Sequence, residues 1–301
     1  MRLAHVIGAI CGQPWAIEPG KLSEIVAVVA HHSAGKDVSP EEMHARLGAR
    51  SAGVSQGHGV GVLPIHGTIA HRMGGMNESS GGVSVERLGA MLSSYMADAS
   101  VGTILLDIDS PGGTVTGVSE FAGQLAASRG TGTKRIVAMV NGMAASAAYW
   151  LAAQADEIVS IPSGLSGSIG VYSAHQDMSA ALEQEGIKMT LVSAGKHKVE
   201  GNPFEPLSEE AQAVMQARVD DAYATFVRDV AKGRGVSPAD VRKGYGEGRV
   251  LSAKDAKAAG LIDRIATVDE TLSRLMGSSR SAMRAEAESS VWAVRRRLEM
   301  F

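Results

Sequence analysis

The sequence predicts an α/β protein with repeated βαβ units around a mostly parallel sheet. Five short runs carry that prediction: "VGVLPIHGTI", "GTILLDID", "KRIVAMVNG", "DEIVSIP" and "KMTLVSA". They are rich in β-branched and aliphatic residues without polar alternation, the pattern of strands buried on both faces. Between the first three lie helix-length segments, "SVERLGAMLSSYMAD" and "VTGVSEFAGQLAASRG". Strands alternating with helices of this length build parallel sheets. At 301 residues the chain is long enough to bury a sizeable core.

Taken in order, residues 1–55 read as a helical N-terminal segment and linker. "PGKLSEIVAVVAHH" and "SPEEMHARLG" are its helix candidates, with Ser39 and Pro40 suited to an N-cap and first helical position. "SAGVSQGHGVG" is a Gly/Ser-rich connection. The central domain then spans 56–275. Late in it a longer helix is expected over 208–232. Ser208 caps it, an apolar stripe runs through Met215, Val219, Tyr223, Phe226 and Val230, and Gly233 ends it. Residues 276–301 form a basic amphipathic tail, expected as a frayed or partner-bound helix.

Bulk properties remove several functions. A net charge of −3 with acidic and basic residues interspersed gives no footprint for nucleic acid. Cys11 is the single cysteine, so no intrachain disulfide forms, and the nine histidines contain no HExxH. No metal and no cofactor are therefore expected. "VIGAICG" is too short to span a bilayer, so no membrane anchor is expected and the protein is placed in the cytoplasm.

Three stretches carry candidate chemistry. In "LLDIDSPGGTVTG" a buried strand ends in two glycines before a helix, which frees a backbone N–H to face a developing oxyanion; a plain strand-to-helix turn explains Pro-Gly equally well. In "NGMAASAAYW" a strand reaches an Asn141-Gly142 turn, and Ser146 falls in the turn or first helical turn beyond it, either as nucleophile or as a small packed residue. Tyr149 and Met143 are read as core rather than as pocket walls. In "PSGLSGSIGV" Ser166 and Ser168 sit in a Gly/Ser loop entering a short strand.

A serine nucleophile needs a base. His175, in "VYSAHQDMSAAL", is one candidate, although a cap or solvated ring suits its neighbours better. Lys196 and Lys198, in "SAGKHKVEGNPFEPLSEE", are the others. A lysine acts as base only when neutral, so its usual pKa of ~10.4 has to fall through burial. Residue by residue, a solvated surface pair is the simpler account of both lysines.

Taken together and in this order, "DSPGG", "NGMAASAAYWLAAQADEIV", "SGSIGV", "SAGKHKVEGNPFEPLSEE" and "GRVLSAKDAKAAGLID" resemble the signal peptide peptidase A family of serine proteases. The resemblance covers about residues 60 to 270. It implies the Clp protease/crotonase-like fold and a Ser/Lys dyad. Ser146 then matches the nucleophile, Lys198 the general base and Ser168 the hydroxyl that positions the lysine. Gly113 and Ala147 match the oxyanion donors. The chain departs from the family in having Ala147-Ala148 where Gly-Gly is frequent, and Val199 where Asp follows the lysine.

The first fifty residues, with "GQPWAIEPGKLSEIVAVV", resemble phage capsid assembly proteases of the lambdoid type. That resemblance implies a prohead protease acting on scaffold, portal or capsid proteins, assembled as a homo-oligomeric ring within the procapsid. Three other readings stay open: a cytoplasmic host peptidase that clears signal peptides, a crotonase-type acyl-CoA enzyme and a non-catalytic scaffolding protein.

Overall fold

The computed structural model describes residues 13–25, 59–72 and 82–277. The expected helix in "SPEEMHARLG", the linker up to residue 58 and the tail from residue 278 lie outside them.

The chain enters with β1 (Trp15–Ile17), followed by a helical stretch at 19–25. β2 (Val60–His66), β3 (Ile69–Ala70) and β4 (Val83–Ser84) lead into α1 (Val85–Ala97). β5 (Thr103–Ser110) and β6 (Gly112–Thr114) precede α2 (Val118–Gly130), and β7 (Arg135–Ala145) runs into α3 (Ala147–Ala152). β8 (Glu157–Ser160), β9 (Leu165–Gly167) and α4 (Ser179–Gln184) follow. The long α5 (Glu209–Arg234), α6 (Pro238–Gly244), β10 (Val250–Ser252), α7 (Ala253–Ala258) and β11 (Arg264–Ile265) complete the set.

The main sheet has the order β10-β9-β7-β5-β2, with β8 on β7 and β11 on β8. β2, β5, β7 and β8 are mutually parallel, as the βαβ reading predicts. It is the mixed α/β fold of the Clp protease/crotonase type. β7 divides its pairing: Val137–Val140 bond to β8, and Met143–Ala145 bond to β9. A smaller sheet, β1-β6-β3-β4, covers the end where β5 stops.

Sequence explains the layers. Ser84 caps α1 by accepting the Arg87 N–H at 3.4 Å, and the helix buries Val85, Leu88, Leu92 and Tyr95. Tyr95 lies flat on Gly61 and donates its hydroxyl to the Val62 carbonyl at 3.0 Å. α2 buries Val118, Phe121, Ala122 and Leu125. Each such aliphatic side chain contributes roughly 1.5–3 kcal/mol.

Three expectations are corrected. The long helix starts at the predicted Ser208 cap, where the Ala211 N–H meets the Ser208 hydroxyl at 3.1 Å, but it ends at Gly235 rather than Gly233. Gly235 adopts φ 68°, the left-handed turn that stops a helix. Gly233 lies inside α5, where an added Cβ would sit 2.1 Å from the Ala153 carbonyl oxygen. Its role is close packing against α3.

Second, β7 does not turn at Asn141-Gly142 but continues to Ala145. A register shift between Ile108 and Ser110 lets it pass, and the Met143 N–H donates to the Asp109 carboxylate at 3.1 Å. Third, "KMTLVSA" forms no strand: among the described residues no neighbour pairs with it, and Met189, Leu191 and Val192 stand exposed, Val192 at 94%.

Candidate active site

β7 delivers Ser146 to the entrance of α3, a helix whose every residue is buried. Ser146 has φ 55° and ψ −119°, a conformation that costs a non-glycine residue ~1–3 kcal/mol and persists only where its surroundings enforce it. The enforcement is visible. Its N–H donates to the Gly167 carbonyl at 2.8 Å, its carbonyl accepts the Trp150 N–H at 2.9 Å, and its hydroxyl points at the Gly170 carbonyl, 3.4 Å away.

α3 is in turn bolted to α5. Trp150 stacks on Phe226 with ring centroids 4.4 Å apart, and its indole N–H donates to Asp229 at 3.0 Å. Gln154 donates to the Trp150 and Asp229 carbonyls at 3.0 and 3.2 Å. Tyr149 is fully buried and donates to the Leu261 carbonyl at 2.9 Å, and burial holds its phenol well above the usual value. Tyr149 is core, as expected; Met143 is half-buried at the strand end.

Beside Ser146 lies the double glycine. Gly112 has φ 99°, and a Cβ there would sit 2.2 Å from the Ala16 carbonyl oxygen and 3.0 Å from the Ala147 nitrogen. A Cβ on Gly113 would sit 1.8 Å from the Ile69 carbonyl oxygen. Neither position tolerates a side chain. Ser110 sets the turn: its hydroxyl donates to the Gly67 carbonyl at 2.6 Å and accepts the Gly112 N–H at 3.2 Å. Gly112 thus shares a small space with Ala145 and Ala147 on either side of Ser146, while Gly113 packs on the Ile69 backbone of β3.

Ser168 is buried and also has positive φ, 54°; Glu247 is the third non-glycine residue with this feature among the described ones. The Ser168 N–H donates to the Arg249 carbonyl at 2.8 Å. Ser166, two residues earlier, buries a hydroxyl that has no hydrogen-bond partner. Lys198 is exposed, on a turn closed by its N–H to the Gly195 carbonyl at 3.1 Å, and among the described residues no side-chain hydrogen bond joins it to Ser146 or Ser168. His175 bonds the Asn202 carbonyl at 3.0 Å and none joins it to Ser146 either. The structure ties Ser146 to Gly167, the residue before Ser168, and sets Ala147 beside Gly112, the residue before Gly113, while Lys198 lies exposed with no hydrogen bond to Ser146 or Ser168 among the described residues.

Two features were missed by sequence reasoning. One is β1, which pairs antiparallel with β6 and bonds Tyr172 on its other edge. The other is a polar cluster where the end of β2 lies beside the interiors of β5 and β7. There His66 meets buried Asp107 at 3.0 Å, and Asn141 donates to the same carboxylate at 3.3 Å. The Asp107 hydrogen bond raises the His66 pKa, against burial. On the surface His197, Glu200 and Glu210 bring ligand atoms within 4.8 Å of one another, with Lys196 paired to Glu210 at 3.3 Å.

A family model described as Peptidase family S49 matches residues 129–281, half of the chain, including Ser146, Ser168 and Lys198. The chain belongs to peptidase family S49. Among the relatives of this S49 chain is the head-tail preconnector protein GP5 of Enterobacteria phage P21, 32% identical and matched over 94% of the chain and 59% of the relative. Capsid assembly protease C of Escherichia phage lambda is 35% identical over 69% of the chain and 46% of the relative. Protease 4 of Salmonella typhi is 32% identical over 65% of the chain and 31% of the relative. The S49 chain thus spans about half the length of the phage relatives it matches. No helix among its described residues is long and apolar enough to cross a membrane.

Proposed function

We propose that this S49 chain is a serine endopeptidase that works through an acyl-enzyme, with Ser146 as nucleophile and Lys198 as general base. The observation that carries the reading is the strained Ser146 at the mouth of α3, held against the Gly112-Gly113 turn. Neutral Lys198 Nζ takes the Ser146 hydroxyl proton as Oγ attacks a peptide carbonyl. The Gly113 and Ala147 N–H groups receive the oxyanion, each donor worth ~2.7–4 kcal/mol of the barrier. The protonated lysine gives its proton to the leaving amine. Water, deprotonated by the same lysine, then releases the acyl group. Ser168 orients the lysine amine.

Lys198 lies exposed in the single chain. Exposed Ile187, Met189, Leu191 and Val192, in the same loop region, support assembly of further copies over this face, in keeping with a homo-oligomeric ring. We assign the peptidase domain to 56–275, with flanking segments 1–55 and 276–301. The phage relatives support scaffold, portal or capsid proteins as substrates, cleaved within the procapsid.

The test is cleavage of a co-expressed scaffold protein. Ser146→Ala and Lys198→Ala should each abolish it with the fold intact by circular dichroism. Full processing by the Lys198→Ala protein would overturn the dyad and promote His175.

A further inference from the structure

β1 lies in a groove with a rim on either side. One rim is β6, paired antiparallel through Trp15 to Thr114, Ala16 to Gly113 and Ile17 to Gly112. The other is the stretch at 170–172: Trp15 and Tyr172 exchange both backbone hydrogen bonds, at 2.8 and 3.0 Å. Ser146 sits between the rims, its hydroxyl facing the Gly170 carbonyl and its neighbour Ala147 facing the space beside Gly112.

The phase of the ladder is fixed. Glu18 donates to the Pro111 carbonyl at 2.8 Å, and Trp15 turns its polar groups to Tyr172. In an antiparallel pair, the residues between alternate sides, so the Ala16 carbonyl and the Gly113 N–H face each other. The Ala16 carbonyl oxygen therefore occupies the space to which the oxyanion is assigned, and Ala16 is fully buried there.

We infer that residues 13–18 are a built-in occupant of the peptide groove over Ser146, and that they must leave before a substrate strand can enter. The inference rests on the reading of Ser146 and Gly113 given above. An extended peptide adding to both rims would make the same backbone bonds as β1. Two further observations fit a replaceable occupant. Trp15, Ile17 and Leu22 form a small apolar cluster of their own, separate from the main core. Thr114 and Tyr172, the two residues that pair with Trp15, each keep a buried hydroxyl without a hydrogen-bond partner while β1 is in place.

The test uses the full chain with Ser146→Ala, alone and combined with Ile17→Asp or Leu22→Ala, which loosen the small cluster and leave Gly113 and Lys198 untouched. The probe is a capped peptide of residues 13–18, Gln-Pro-Trp-Ala-Ile-Glu. It should bind the loosened proteins about tenfold more tightly than the parent, since a groove open a tenth of the time taxes affinity by that factor. Saturating the parent with peptide should also speed hydrogen exchange of the amides at 15–18. Peptide bound without faster exchange there, equal affinity in all three proteins, or no binding to any of them, overturns the inference. A separate arm restores Ser146 in the Ile17→Asp protein and follows casein cleavage. Binding and faster exchange without cleavage leave the strand inference standing and count against the Ser146/Lys198 reading alone.

Discussion

The Ser146 N–H donates to the Gly167 carbonyl at 2.8 Å, so the residue before Ser168 holds the backbone of Ser146 in its unusual conformation. Gly167 has φ 127°, and a Cβ there would sit 2.7 Å from the Arg249 carbonyl oxygen. Gly167→Ala has to shift that peptide and, with it, the serine. We expect kcat to fall on the order of tenfold to a hundredfold, as for an ångström-scale misplacement, with KM changing less. Steady-state kinetics on a peptide substrate checks this; an unchanged kcat would show that the bond does not position Ser146.

Gly233 sets how closely α5 approaches α3. Gly233→Ala would place a methyl group 2.1 Å from the Ala153 carbonyl oxygen, a backbone atom that cannot swing aside. The expected loss is about 1–3 kcal/mol of stability, the usual cost of overpacking. Urea unfolding should show it as a lower midpoint at constant slope. Gly235→Ala, in open space but at φ 68°, should cost about 1–2 kcal/mol through backbone strain alone.

His66 gives the fold a pH dependence of known sign. Its hydrogen bond to Asp107 raises its pKa above 6.5, with Asp107 and Asp109 adding attraction and burial opposing. The stabilisation is complete below the unfolded value and is lost as pH rises through the folded one. His66→Gln should therefore lower thermal stability more at about pH 5.5 than at about pH 8.5. Equal losses at both would show that the charge on His66 is not what Asp107 favours.

Much of the sheet was legible because β-branched runs and cap residues act locally. "GTILLDID" became β5 and Ser208 the cap of α5. What was not legible depends on distant partners. Gly233 and Gly235 look alike in sequence, and only the Ala153 carbonyl separates a packing glycine from a stop. "KMTLVSA" carries strand residues, but a strand needs a neighbour, and the chain supplies none among the described residues. At the site, small neighbours left Ser146 and the Gly-Gly stretch open to a packing or plain-turn reading, and only the ordered set of distant motifs pointed to chemistry. β1 was not: "PWAI" is too short to announce a strand, and its reason for being extended lies on β6 and Tyr172, some hundred residues or more away.

The split pairing of β7 separates two kinds of inheritance. Its first half is tied to β8 and, through it, to β11. Its last three residues before Ser146 are tied to β9 and, through it, to β10. Changes on the first branch should be felt as stability and on the second as chemistry. A designer wishing to alter the surroundings of Ser146 without touching Gly167 or Ser168 would vary Leu165 and Val250 to Ser252, leaving the β8 side as fixed scaffolding.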